Sequence, residues 1–162
     1  MVIISLKRTR NIHKSAESAH IEMEEDDTKK GEYYFSIASI QFRKLKNSST
    51  ARATARKAAQ LKPNWGRPYL LIGDMYASST RCKKDAFGKG LIVLAAIDKY
   101  AYAKSIDDNE EVAADANRKI GLYNRSIPMK GDAFQRGLTD GKSMNTGCWI
   151  GETVRLRTRA DE

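Results

Sequence analysis

The stretch Pro68–Tyr76, PYLLIGDMY, decides how this chain is read, because its order of aromatic, aliphatic, small and aromatic residues occurs twice. Tyr69, Ile72, Gly73 and Tyr76 follow Phe35, Ala38, Ser39 and Phe42 at a constant interval of 34 residues. Positions i, i+3, i+4 and i+7 share one face of a helix, so each copy predicts an amphipathic helix. Self-similarity at such a period marks stacked helical hairpins, each leaving an apolar face that only a neighbour can cover.

The residues after each copy supply the second helix. Ala51, Ala55, Ala58 and Pro63 follow the first copy; Ala96, Tyr100, Ala103 and Asp108 follow the second. In spacing and residue type this resembles the tetratricopeptide repeat (TPR), with alanine replacing an aromatic in the first copy and Asp108 replacing proline in the second. Ser39 and Gly73 are small enough for helices to approach closely, Pro63 ends a helix, and Pro68 suits the first turn of the next. The aromatics of the pattern read as core. Tyr76 to Ala96 is longer than Phe42 to Ala51, so the second hairpin carries an inserted loop, placed at 77–95 and containing Cys82. Val112, Ala116, Ile120 and Tyr123 form one further apolar stripe, a capping helix at 111–126.

The expected architecture is all-α, a TPR-like α-solenoid at 31–127, with a short β-hairpin module at 128–162. Ile12, Ala16, Ala19 and Met23 make a weaker stripe, so 1–30 reads as a degenerate N-terminal helix or a disordered tail. Near the other end, Ser143–Ile150 and Thr153–Arg157 read as strands joined by Gly151-Glu152, a two-residue link that suits a type II′ turn. A lone hairpin is marginal, so Trp149, Ile150, Val154 and Leu156 are expected to dock it on the helices.

Composition narrows the functions. There are 29 Lys and Arg against 20 Asp and Glu, a net charge of +9, which favours acidic partners. No acidic residue lies between Glu32 and Asp74, whereas Arg43, Lys44, Lys46, Arg52, Arg56, Lys57, Lys62 and Arg67 do. No aromatic platform interleaves these cations, so a solvated helix face is the plainer reading and a nucleic-acid surface the sharper one. No apolar run is long enough to span a membrane, and MVIISLKRTR is too short in its apolar part for a signal peptide. His13 and His20 lie far from Cys82 and Cys148, which argues against a zinc set, so neither metal nor other cofactor is expected. Asp140-Gly141-Lys142-Ser143 only approximates the end of a phosphate loop, since Arg136 stands where glycine is required. With no nucleophile–base arrangement either, no catalytic residue is assigned and the chain is not expected to be an enzyme.

From Gly31 to Arg157 the chain resembles the C-terminal part of a group of Bacteroidetes TPR proteins. The residues that carry this are KAAQLKPNWGRPYLLIGDMYASS (57–79), the loop cysteine, AIDKYAYAKSID (96–107) and GCWIGETVRLR (147–157). The resemblance carries no assigned activity; stacked helical hairpins curve into a concave groove, so a non-catalytic scaffold binding a peptide or protein segment there is expected, and the basic stretch makes nucleic acid the alternative partner. The TPR resemblance implies the groove-facing positions: Tyr33, Ser36, Ile40 and Arg43; then Asn64 and Trp65 at the junction; then Arg67, Leu70 and Asp74. Trp65 is the best single anchor, its alternative being burial in the turn between repeats. The residues alone leave Cys82 and Cys148 as two thiols or one bond; resemblance to exported proteins favours the disulfide and a cell-envelope or periplasmic location.

Overall fold

A computed structural model describes residues 21 and 23–161. The stripe at Ile12, Ala16 and Ala19, like His13 and His20, lies outside these residues; Met23, which completes that stripe, is exposed. Six α-helices and one two-stranded antiparallel sheet are found among the described residues: α1 (Asp27–Arg43), α2 (Ser48–Leu61), α3 (Arg67–Ala77), α4 (Ala86–Ile106), α5 (Glu110–Tyr123), α6 (Lys130–Gln135), β1 (Ser143–Asn145) and β2 (Thr153–Arg155). Helix α1 begins inside 1–30, the segment expected to be a degenerate helix or a disordered tail. Its start is fixed by Asp26, whose carboxylate accepts hydrogen bonds from the backbone N–H groups of Thr28 and Lys29.

Short links join α1 to α2 and α3 to α4, and each pair packs together, as do α2 with α3 and α4 with α5. The contacts follow the residue pattern. Ala51, Ala55 and Ala58 are fully buried on α2, and Gly31 of α1 sits so close to Ala58 that a β-carbon there would approach the Ala58 carbonyl oxygen to 3.1 Å. Helix α3 turns Leu71, Ile72, Met75 and Tyr76 into the core. It closes with Ser78 and Ser79, whose hydroxyls donate to the Met75 carbonyl at 2.9 and 2.7 Å and satisfy an orphan acceptor of the last turn.

The insertion expected as a loop at 77–95 is in large part helix. Only the link around the 3-10 turn Thr80–Cys82 is irregular, and α4 begins at Ala86 behind Asp85, whose carboxylate caps the Gly88 N–H. Residues Leu91–Ile97 are buried without a gap, so this part of α4 has no exposed face. Such a helix must be covered all round, and the C-terminal module supplies the missing cover: Ile150, Val154 and Leu156 are buried in the same cluster, and β2 packs on α4. Gly90 lets the chain cross α4 closely, since a β-carbon there would meet Pro128 at 2.8 Å.

The hairpin is shorter than expected and its turn is different. Ser143, Met144 and Asn145 pair with Arg155, Val154 and Thr153, and the connection runs over 146–152. Three positive φ angles, at Gly147, Cys148 and Gly151, curl this segment out of strand geometry. Buried Thr146 closes its neck: the Thr146 N–H donates to the Glu152 carbonyl at 2.9 Å, and the Glu152 N–H donates to the Thr146 hydroxyl at 3.0 Å. Trp149 and Ile150 therefore sit at the tip of a loop, where they dock on the helices as their apolar character required.

Candidate functional site

Two adjoining hollows follow the faces of α1, α3 and α5. The first, of about 340 Å³, is lined by Phe35 and Arg43 from α1, Arg67, Leu70, Leu71 and Asp74 from α3, and Glu111, Val112, Asp115 and Lys119 from α5. The second, of about 390 Å³, shares Phe35 and Arg67 with it and adds Glu32, Ser36, Lys62, Trp65 and Asn109. Of the groove positions expected from sequence, Arg43, Arg67, Leu70 and Asp74 thus converge on one hollow, and Ser36 and Trp65 on its neighbour. Tyr33, Ile40 and Asn64 line neither; Asn64 is exposed in the turn before α3 with φ of 59°.

The roles within the groove are unequal. Leu70 is buried and forms floor. Asp74 is engaged from two sides: Lys119 Nζ lies 2.7 and 2.8 Å from its oxygens, and the Tyr100 hydroxyl donates to Oδ1 at 2.9 Å. Burial, and then the Asp74 charge, pushes the Tyr100 phenol far above its ordinary range, so it remains a donor. Asp115, 3.3 Å from Lys119, is held below the usual carboxylate range: burial opposes this, but Arg118 and Lys119 outweigh it. The cluster ties α3, α4 and α5 together. Arg67 and Glu111 make a rim pair at 3.2 Å with both side chains well exposed, an arrangement worth about 0–1 kcal/mol and readily opened. Arg43 has no ion pair among the described residues.

Trp65 combines both readings open to it. Its ring packs on Phe35, centroids 5.0 Å apart, under the Lys62 ammonium at 4.5 Å, yet one side remains in the second hollow. Beside it, Asp107 accepts from the Gly66 N–H at 2.7 Å, so the acid next to the expected proline position fastens the junction.

Sequence reasoning missed the third wall. Glu111, Asp115 and Lys119 recur every four residues on α5, beside the apolar stripe at Val112, Ala116 and Ile120, and that charged row was the available signal.

The basic stretch is largely spoken for, and Arg52, one of the cations read as a solvated helix face, turns inward instead. Arg52 donates to the Ile150 carbonyl at 2.6 Å and the Trp149 carbonyl at 3.1 Å, and its guanidinium lies 4.9 Å from the Trp149 ring. Arg56 pairs with Glu152 at 3.1 Å, Lys57 lies 4.3 Å from the Tyr34 ring centroid, and Lys62 meets Glu32 at 2.6 Å. Tyr76 completes the Arg52 cluster by donating to Glu152 Oε1 at 2.7 Å while accepting from Arg52 at 3.2 Å. Burial, then the Glu152 contact, pushes the Tyr76 phenol up to about 12. Burial alone would raise Glu152, but the Tyr76 hydroxyl, Lys99 and Arg56 hold it below its usual range.

Cys82 and Cys148 form a disulfide across 66 residues, beside the hydrogen bond from the Trp149 indole N–H to the Ser79 hydroxyl at 3.2 Å. No helix among the described residues is long and apolar enough to cross a membrane. Comparison of the chain with protein-family models, with curated proteins and with solved structures gives no match, so the reading of the groove rests on its own geometry.

Proposed function

We propose that this chain is a TPR-like, non-catalytic binding module whose groove along α1, α3 and α5 takes a segment of a protein partner. The observation that carries this reading is that side chains from three helices, separated by long stretches of sequence, line two continuous hollows with an apolar floor at Phe35 and Leu70 and an openable charged rim at Arg43, Arg67 and Glu111. Such a surface offers a partner both apolar contact and orienting charge. Trp65 is the anchor, and Arg43 the groove cation that makes no ion pair among the described residues. The engagement of Arg52, Arg56, Lys57 and Lys62 within the molecule favours a protein segment over nucleic acid, because phosphate contacts need cations that remain available. The Cys82–Cys148 bond supports an oxidising compartment such as the cell envelope.

Selection from a displayed random-peptide library tests this. Enriched peptides are expected to compete for one site and to lose at least tenfold in affinity on an Arg43→Glu/Arg67→Glu variant that unfolds at the wild-type temperature. Failure to enrich any peptide, or equal binding to the variant, would sink the proposal. Capture of single-stranded or duplex oligonucleotides that disappears as salt rises would favour the nucleic-acid reading.

A further inference from the structure

Helix α6 holds Phe134 with 82% of its surface exposed, at the edge of a hollow of about 310 Å³. Buried Ala133 and half-buried Leu138 give the hollow an apolar floor, and Lys130 and Asp140 also line it. A phenyl ring is among the largest apolar groups a chain can present, so leaving it in water beside an apolar hollow calls for an occupant.

The C-terminal tail sets the two charges apart. The Lys130 N–H donates to the Arg159 carbonyl at 2.9 Å, and the Gly141 N–H donates to the Leu156 carbonyl at 2.8 Å. No turn or bend interrupts 156–159, so these anchors are separated by on the order of 10 Å of chain. Lys130 and Asp140 therefore stand at opposite ends of the hollow, with Phe134 and Leu138 between them. Neither side chain makes an ion pair or hydrogen bond among the described residues, whereas nearby Arg136 meets Asp85 at 3.0 Å and Arg157 meets Asp98 at 2.7 Å.

We propose that this face is where two copies of the chain meet. In a two-fold contact the same patch serves both sides. It lays Lys130 of each copy against Asp140 of the other and seats each Phe134 on the Ala133–Leu138 floor opposite. A second copy thus supplies the ring, the anion and the cation that the face lacks, in the order the face requires. The patch is small: it falls below the roughly 1,000 Å² typical of stable complexes, so the dimer is weak and reversible. The face shares no residue with the α1–α3–α5 groove, and it stands or falls separately.

Sedimentation equilibrium of the full chain from about 0.01 to 1 mM tests this. A reversible monomer–dimer equilibrium is expected, with concentration-dependent amide shifts confined to 130–140 and 158. Phe134→Ser is expected to weaken it at least tenfold without lowering the melting temperature measured at concentrations where the protein is monomeric. Lys130→Asp and Asp140→Lys each place like charges opposite one another and should weaken it roughly tenfold. The double variant exchanges the two charges and should restore association, a rescue that a merely local role for either residue does not produce. A monomer throughout the range would overturn the proposal and leave the hollow to a different occupant. A dimer indifferent to Phe134→Ser, or a double variant no better than the single ones, would overturn it equally.

Discussion

At Gly73 the helical hairpin leaves no room for a β-carbon, because the place it would occupy is filled by the Tyr100 ring. This gives the small residue of PYLLIGDMY a physical reason: it admits an aromatic from α4, whose hydroxyl then reaches Asp74 one residue further on. Gly73→Ala is therefore expected to destabilise by about 1–3 kcal/mol in denaturant unfolding, despite the better helix propensity of alanine; a variant as stable as wild type would show that Tyr100 moves aside at no cost. Tyr76 carries a second residue-scale expectation. Its phenol is raised in the fold from 10 to about 12. The folded state thus holds the proton more tightly, and the associated stability is complete below pH 10 and lost as pH rises through about 12. Tyr76→Phe should cost about 1–2 kcal/mol at neutral pH. It should also flatten the alkaline part of a stability–pH profile between those limits, and identical wild-type and variant profiles there would contradict this account.

The helices of the first hairpin and the start of α3 were legible in the sequence because a period of 3.6 and alanines four apart report directly on which face is buried. Helix α4 was only half legible. Its second half carries Ala96, Tyr100 and Ala103 at recognisable spacing, whereas Leu91–Ala95 is apolar at every position, and a run without period does not announce which element it forms. What makes it helix is tertiary: α3 and α5 pack on it, and so does β2. The hairpin failed for a related reason. Gly147–Ile150 reads as the end of a strand and Gly151-Glu152 as its turn, but two glycines and Cys148 adopt left-handed geometry, and the Trp149 and Ile150 carbonyls at the tip are held by Arg52 from a helix far upstream. The groove was legible where positions followed the repeat, as at Arg43, Arg67 and Leu70. The α5 wall was not, because its charged residues have meaning only once Asp74 faces them.

Across the molecule, the C-terminal module is fastened to the helices by three kinds of bond at once: the Cys82–Cys148 disulfide, the Arg52–Tyr76–Glu152 cluster and the apolar burial of Ile150, Val154 and Leu156. Converting both cysteines to serine releases a constraint spanning 66 residues and is expected to lower unfolding free energy by about 4 kcal/mol in the chain-entropy account. Denaturant titration of oxidised and Cys82→Ser/Cys148→Ser protein checks this, and a loss well under 1 kcal/mol would mean that the Arg52 cluster already restrains the unlinked chain. The distance along the sequence between Arg52 and its acceptors, 97 residues to Trp149 and 98 to Ile150, also sets a clock. At translation rates of about 5–20 residues per second, Arg52 leaves the ribosome roughly 5–20 seconds before the loop that covers it. In the last part of that interval, once α4 has followed Arg52 out, its apolar side that β2 will cover is open to solvent, so the nascent chain passes through a stage in which a chaperone has a surface to hold.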